Sequence, residues 1–337
     1  MGHHAGSVKT DKNEELKSGF GANTLIKYML EYGIYVALVL MIVILGIISP
    51  NFLTLSNAKN VLQQISVNGL LAIGMTFVII VRGIDVSAGS IVALSSCVSA
   101  ILMTSQNVNP VLGIVMMIII AMVASGINGF GSSYLMMPAF IVTLAMTNVA
   151  RGLALSLSGG KAIYGLPKIF STIGNSSFLN IPIPIWIFLG CALIAHIILS
   201  KTVFGKQIYA VGGNPDAARV SGINVERVIL GAFLLSGFFV GMAAFTVTAR
   251  MNSYFPNVGV GYEFDAIASV VIGGTSLFGG VGWIGGTIVG VLIMGIINNA
   301  LNLLNVSAFY QLVAKGLIIF LAVLIDTLKI RNFTRKN

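Results

Sequence analysis

Apolar runs long enough to cross a bilayer follow one another along almost the whole chain, and nothing else constrains its fold as tightly. A helix needs about 20 residues to span the hydrocarbon core. Runs approaching or reaching that length lie at roughly 33–49, 61–81, 88–104, 111–134, 138–157, 182–200, 228–249, 264–278, 284–303 and 308–326. They do not alternate apolar with polar residues as barrel strands do. Length alone would suggest two or three soluble domains, but of the 337 residues 56% are hydrophobic and 9% charged,. The expected fold class is an all-α membrane protein, a polytopic helical bundle of about ten transmembrane helices with a short cytoplasmic helix between two of them.

The expected organisation is a polar cytoplasmic tail at 1–32, a transmembrane domain at 33–326 with a polar connection at 201–227, and a basic cytoplasmic tail at 327–337. Residues 1–27 lack the short apolar core and small-residue cleavage site of a signal peptide, so the first run reads as an uncleaved span,. Ten spans put both termini on one side. That side carries Lys9, Lys12, Lys17, Lys27, Arg82, Lys201, Lys206, Arg219, Arg227, Lys329, Arg331, Arg335 and Lys336. The other carries Lys59, Lys161, Lys168 and Arg250. Positive charge marks the cytoplasmic face, so both termini and the 201–227 connection are expected there. Orientation thus accounts for the net charge of +9, and no basic run interleaved with aromatics supports nucleic-acid binding.

Residues 201–228, KTVFGKQIYAVGGNPDAARVSGINVERV, form a polar island between apolar runs. Within it the spacing predicts a short capped helix. Asn214 suits the N-cap, Pro215 the first helical position and Asp216 the first turn, where the helix dipole favours an acid. Arg219 lies three residues on, within reach of Asp216. Gly222 supplies a left-handed stop, and Asn224 can cap the next helix. Such a helix is either an ordinary folded loop or a rigid element through which a soluble partner pushes on the membrane domain. On the opposite side, 158–181 and 250–263 are long enough to meet an extracytoplasmic partner, or are connectors.

Charges inside the spans are scarce, as their cost of about 2.5–3.5 kcal/mol near the bilayer centre requires. Lys315 lies mid-span with Gln311 one turn earlier on the same face, and Arg151 lies in the fifth run. Each serves transport or has a structural role, pairing with a carbonyl or a neighbouring helix. Asn298, Asn302 and Asn305, spaced four and three apart, read as one polar stripe on the ninth run, able to bind sugar hydroxyls or to join helices,. Asp85 and Ser87 stand where the second run ends and the third begins, and either can cap the third helix. Glu263 and Asp265 open the eighth helix, where first-turn acids suit the dipole.

Residues 79–89, IIVRGIDVSAG, align with 270–280, VVIGGTSLFGG, matching Gly83 to Gly274, Val86 to Leu277 and Gly89 to Gly280. Transporter halves often arise as such repeats. Glycine pairs at Gly273 and Gly274, at Gly279 and Gly280, and at 285–286 fall at an interval that keeps no helical face, so they read as helix end, tight loop and helix start,. Gly282, Gly286 and Gly290 repeat every four residues and suit a close helix contact. No nucleophile–base pair, paired carboxylates or zinc motif is present, and no Lys followed by Ser or Thr closes a glycine loop at the phosphate-binding spacing,. Cys97, Cys191 and His196 fall inside apolar runs and read as packing residues,. With no ATP site, energy must come from a partner or an ion gradient.

Four segments, SPNFLTLSNAKNVLQQISVNGLLAIGMTFVIIVRGIDVSAGS (49–90), FGKQIYAVGGNPDAARVSGINV (204–225), GYEFDAIASVVIGGTSLFGGVGWIGGT (261–287) and LNLLNVSAFYQLVAKGLIIFLAVLID (301–326), carry a resemblance in order along the chain. The chain resembles the permease subunits of bacterial ABC sugar importers, the ribose-type permeases most closely. The resemblance implies an inner-membrane transport subunit that catalyses no covalent change and holds no cofactor, ATP and Mg being bound by a separate cytoplasmic ATPase. It also implies a periplasmic or lipid-anchored sugar-binding protein and a second permease copy in the lipid bilayer. The family's coupling motif falls on Gly213, Asn214, Ala217, Ala218, Arg219, Ser221 and Gly222, alongside Asp216 of the capped helix. Closure of the ATPase dimer would push there and switch the permease from outward-facing to inward-facing. Ribose is the first substrate to expect, with xylose, allose, galactose and autoinducer-2 as alternatives. The rival classes are an ion-coupled secondary transporter, for which the central spans offer few acids, and a membrane enzyme, for which no catalytic constellation is present.

Overall fold

A computed structural model describes residues 33–334, with side chains to residue 328. Thirteen helices follow in order: α1 (Gly33–Ile48), α2 (Leu55–Ile80), α3 (Ala88–Ser105), α4 (Pro110–Ser133), α5 (Ala139–Ser158), α6 (Lys168–Asn175), α7 (Ile183–Lys201), α8 (Val203–Gly213), α9 (Pro215–Val220), α10 (Val225–Met251), α11 (Tyr262–Ile272), α12 (Ile284–Leu303) and α13 (Ala308–Thr334). A two-residue hairpin, β1 (Ser177–Phe178) with β2 (Ile181–Pro182), pairs antiparallel between α6 and α7. Among the described residues eight helices, α2, α3, α4, α5, α7, α10, α12 and α13, are long and apolar enough to cross a membrane. The protein is an all-α polytopic membrane protein.

Two expectations change. The eighth apolar run, 264–278, is not a span, because α11 has 11 residues and a helix of that length covers about 16 Å, half the hydrocarbon thickness,. The basic segment from 327 continues helix α13 as far as Thr334. The 1–32 tail and residues 335–337 lie outside the described residues.

Helices α2 and α10 form the centre, with Phe77 and Phe239 stacked across it at 6.0 Å. Helix α4 runs antiparallel along α10, and glycines set its distance. A Cβ on Gly237 would sit 2.7 Å from the Met122 Cα, and one on Gly241 would sit 2.6 Å from the Ile118 Cα. In lipid, where apolar burial drives little association, such backbone approach is what holds helices together. The α11–α12 contact is of the same kind. A Cβ on Gly286 would overlap the Gly273 carbonyl oxygen, and one on Gly290 that of Ser269. Gly282 is not part of this seam, since it precedes α12 and faces Thr275.

The aligned repeat is a repeat of helix endings. Helix α2 closes with Arg82 left-handed at φ 66° and its N–H on the Ile79 carbonyl, while the Gly83 N–H reaches back to Val78. Helix α11 closes identically, with Gly274 at φ 90° on Val271 and Thr275 on Val270,. The structural register is therefore Arg82 with Gly274, one residue from the sequence alignment.

After Arg82 the chain does not emerge as a surface loop. Residues 83–87 run inward, with Asp85 and Ser87 buried completely. The Thr143 and Thr147 hydroxyls of α5 donate to the Ile84 and Val86 carbonyls at 3.0 and 2.9 Å. Helix α5 begins on the face of α9, because α4 ends where α10 starts, with Gly129 against Leu230. The helical rise puts Thr143 about 6 Å and Thr147 about 12 Å inside that face. Helix α3 therefore starts within the protein. The segment after α10 turns inward from the opposite face: Tyr254, Val258 and Gly259 are buried, and the Gly259 carbonyl presses on Gly89 at the start of α3. Thus 250–263 is a re-entrant segment whose residues 253–254 and 258–259 are buried, tied to 158–181 by the Ile163–Tyr254 bridge.

Adding one methyl at Gly290 should lower stability by about 1–3 kcal/mol, because the α11–α12 backbones must part. At Gly190, where a Cβ meets nothing within 4 Å, alanine should be neutral or stabilise by up to about 1 kcal/mol,. Thermal unfolding in detergent of G290A and G190A checks both, and equal midpoints would contradict the close contact.

Candidate functional site

The polar island folds as two helices, α8 and α9, rather than as a loop with one helix in it. The Thr202 side chain accepts from the Gly205 N–H at 3.1 Å and starts α8. At α9 the Asn214 side chain accepts from the Asp216 and Ala217 N–H groups, both at 3.0 Å, and Pro215 occupies the first position. Gly222, at φ 83°, closes α9 with its N–H on Arg219, and Ile223 reaches back to Ala218. The Ser221 hydroxyl donates to the Ala217 carbonyl at 2.9 Å. Arg219 lies 3.8 Å from Asp216 and makes its shorter ion pair with Glu226 at the start of α10. The Asn224 side chain caps α10 through the Arg227 N–H at 2.9 Å. Six residues make too short a helix to stand alone, and these bonds at both ends hold it. Gly213 leads into it from α8, and Ala218 is its buried contact. Val220, 90% exposed, is an apolar side chain with no cover.

A second cluster lies where α11, α12 and α13 meet. Lys315 Nζ is 2.9 Å from Asp265 Oδ2, and the Asn298 amide donates to the same oxygen at 3.2 Å. Asp265 does stand in the first turn of α11 beside Glu263, yet its main partner is a cation 50 residues away. The expected stripe divides. Asn298 faces Asp265, whereas Asn302, exposed near the end of α12, accepts from Gln311 at 3.0 Å. Asn305 is not on the helix: it lies beyond Leu303 at φ 53°, where its N–H and that of Val306 close α12 on Asn302 and Leu301,.

Neither Asp85 nor Ser87 caps α3 in the simple sense. The Ser87 hydroxyl makes no cap bond. It donates to Asp85 Oδ1, which also accepts the Ser87 N–H at 2.9 Å, and the Asn128 amide of α4 donates to the hydroxyl at 2.8 Å. The glycine loop between α11 and α12 is as expected, with Gly273 capping α11 and Gly274, Gly279 and Gly280 left-handed. Asp326 of α13 holds it, accepting from the Ser276 hydroxyl and the Leu277 N–H at 3.1 Å each.

The family described as the permease component of a branched-chain amino acid transport system matches residues 57–323. The chain belongs to this permease family. It is 46% identical over 303 residues to the ribose import permease protein RbsC of Bacillus subtilis, covering 89% of this chain and 94% of that one. It is 42% identical over 304 residues to the ribose import permease protein RbsC of Haemophilus influenzae, with the same coverage of each chain. To the L-arabinose transport system permease protein AraH of Escherichia coli it is 35% identical over 323 residues, covering 96% of this chain and 97% of that one. No solved structure matches it. The chain is a transport subunit, not an enzyme.

Two structural residues of the permease, Asn57 and Asn299, were not singled out from its sequence. Asn57 of α2 and Asn299 of α12 exchange amide hydrogen bonds at 3.0 and 2.7 Å. Asn299 stands beside the stripe residue Asn298, and no local spacing marks its partner 242 positions away. Arg151 takes the structural of its two readings: it donates to the Pro256 and Val258 carbonyls at 3.1 and 2.8 Å and straps the re-entrant segment to α5. Cys97 and Cys191 are buried and free, as packing residues.

Removing one member of a buried ion pair strands the other charge, at about 3–5 kcal/mol. Replacing Lys315 with Met should therefore lower the thermal midpoint sharply, and adding Asp265→Asn should restore much of the loss. A double variant as unstable as the sum of both singles would show that the two side chains are not coupled.

Proposed function

We propose that the permease is the transmembrane subunit of an ATP-binding-cassette importer, carrying ribose or a closely related monosaccharide across the inner membrane by alternating access. The observation that carries this reading is α9, a rigid, doubly capped helix exposed at one end of the bundle with the apolar Val220 uncovered. The coupling residues are then Gly213, Asn214, Asp216, Ala217, Ala218, Arg219, Ser221 and Gly222, and the partner is a cytoplasmic ATPase that binds ATP and Mg. The names of the similar proteins support a sugar substrate. A periplasmic or lipid-anchored sugar-binding protein delivers it, and a second copy of the chain completes the membrane domain. Both termini are cytoplasmic, following the basic residues.

Within the permease, transport needs no bond making or breaking. It needs a path whose ends open in turn. Asn302 and Gln311 are the amides proposed to meet the sugar, being paired to each other and open to their surroundings. Asn298 and Lys315 act on the path indirectly, by fixing α12 and α13 to α11 through Asp265. That neutralised carboxylate is poorly suited to carrying a coupling cation, which disfavours the ion-coupled alternative.

Cells lacking their own ribose importer should take up labelled ribose when they express this chain with its ATPase and binding protein, and should fail to do so with an ATPase-dead partner. Uptake that instead follows the ion gradient would replace the proposal with its rival. Replacing Arg219 with Glu sets a third carboxylate beside Asp216 and Glu226. An exposed pair of this kind contributes about 0–1 kcal/mol to stability, so the variant should insert normally yet lose at least about tenfold in uptake. Replacing Asn302 with Leu should reduce uptake with little change in thermal midpoint if the amide lines the path, and the reverse pattern would make it a structural contact.

A further inference from the structure

The step left open is how motion of α9 reaches the membrane helices. Helix α9 touches the bundle little by itself, since Asn214, Pro215, Asp216, Ala217, Arg219 and Val220 are exposed or half-buried. Its route into the bundle is through the residues just before it. Gly212 and Gly213 end α8, and their carbonyls, freed by the end of the helix, both accept from one side chain. Arg82 donates through Nε to the Gly212 carbonyl at 2.7 Å and through a terminal nitrogen to that of Gly213. A planar guanidinium can bridge two carbonyls in this way, while an ammonium acts as a point charge. The positive fork also sits at the negative end of α8.

The backbone of Arg82 is equally unusual. It occupies the left-handed position that ends α2, at φ 66°, where its counterpart at the end of α11 is Gly274. A non-glycine residue persists in that conformation only where its surroundings over-determine it. Here they do. Gly212 lies so close to the end of α2 that a Cβ would overlap the Ile80 carbonyl oxygen. The same oxygen accepts the Gly280 N–H at 2.9 Å, and a Cβ on Gly280 would fall 2.8 Å from the Gly213 Cα. The Tyr209 hydroxyl of α8 donates to the Gly282 carbonyl at 2.6 Å, and burial raises the pKa of that phenol, so it remains a donor. The end of α2, the end of α8 and the glycine loop between α11 and α12 are thus fastened at one point, immediately before α9.

We propose that Arg82 is the positioning residue that transmits coupling-helix motion into the membrane domain: its guanidinium locks the residues entering α9 to the end of α2, and the Gly280 and Tyr209 hydrogen bonds join both to the α11–α12 loop, so that α2 and that loop follow α9 as one body. This inference rests on α9 being the site where the ATPase pushes. It assigns the transmission to a side chain outside the 201–227 segment and to backbone contacts that no sequence spacing reveals.

The test uses the complete importer, permease with its ATPase and binding protein, in proteoliposomes. It reads uptake of labelled ribose, ATP hydrolysis with and without the loaded binding protein, and thermal stability. In R82G, glycine accepts the left-handed backbone, so the fold keeps its helix ending while the fork is lost. In R82K the charge remains but the two-carbonyl bridge does not. Both variants should assemble, keep the hydrolysis rate measured without binding protein, and lose about tenfold in uptake per ATP hydrolysed, within the usual range of coupling between sites. R219E runs beside them. Coupling lost in R219E but retained in R82G or R82K would overturn the role of Arg82 and leave α9 as the contact. Coupling retained in R219E would overturn the reading of α9 itself. A uniform fall of assembly, hydrolysis and uptake in R82G would overturn transmission in favour of a purely structural role.

Discussion

A peptide group inside a membrane must find its hydrogen bond within the protein, and the two breaks in this bundle depend on how that requirement is met. Between α2 and α3 the carbonyls of Ile84 and Val86 are served by threonine hydroxyls of α5, and the Ser87 N–H by the Asp85 carboxylate. Before α11 the carbonyls of Pro256 and Val258 are served by Arg151. Each solution borrows a side chain that a straight span would not contain. Thr143, Thr147 and Arg151 of α5 thus find their partners in the irregular chain beside them.

Once the breaks exist, the short helices between them need anchors. Helix α11, too short to cross the bilayer, gains them in two ways. Its backbone lies against α12 at Gly286 and Gly290, where any side chain would force the helices apart. Its Asp265 holds Lys315 of α13 and Asn298 of α12. The ion pair costs desolvation, and its main effect is to fix which faces of three helices meet. Packing among interchangeable apolar side chains would leave that choice open, and a transporter with two alternating states cannot allow helices to slide between them.

What was legible in the sequence was what is local. The caps of α9, its stop at Gly222 and the cap of α10 are all set by bonds spanning five residues or fewer, and each followed from residue type and spacing, whereas the shorter ion pair of Arg219 with Glu226 did not. The glycine loop after α11 was readable for the same reason. The pairs Asp265–Lys315, Asn57–Asn299 and Arg82–Gly212 join residues 50, 242 and 130 positions apart, and no periodicity relates them. The apolar run at 264–278 looked like a span because composition records only how buried a segment is. It does not distinguish burial in lipid from burial in protein, and the glycine pair at 273–274 marked the true end of the helix.

These two kinds of interaction divide the work at the face of α9. Local capping makes the helix stiff, so that a force on Val220 or Arg219 moves it whole instead of unwinding it. Local capping cannot connect it to anything, because every bond stays within the segment or ends at the first turn of α10. The connection to α2 has to come from afar, and it arrives where α8 leaves two carbonyls free and α2 ends in a left-handed residue whose side chain can reach them. A glycine in place of Arg82 would end α2 with less backbone strain, as Gly274 does for α11. An arginine at the first ending and a glycine at the second make the halves of the repeat unequal, and only the first ending carries a side chain that reaches the segment entering α9.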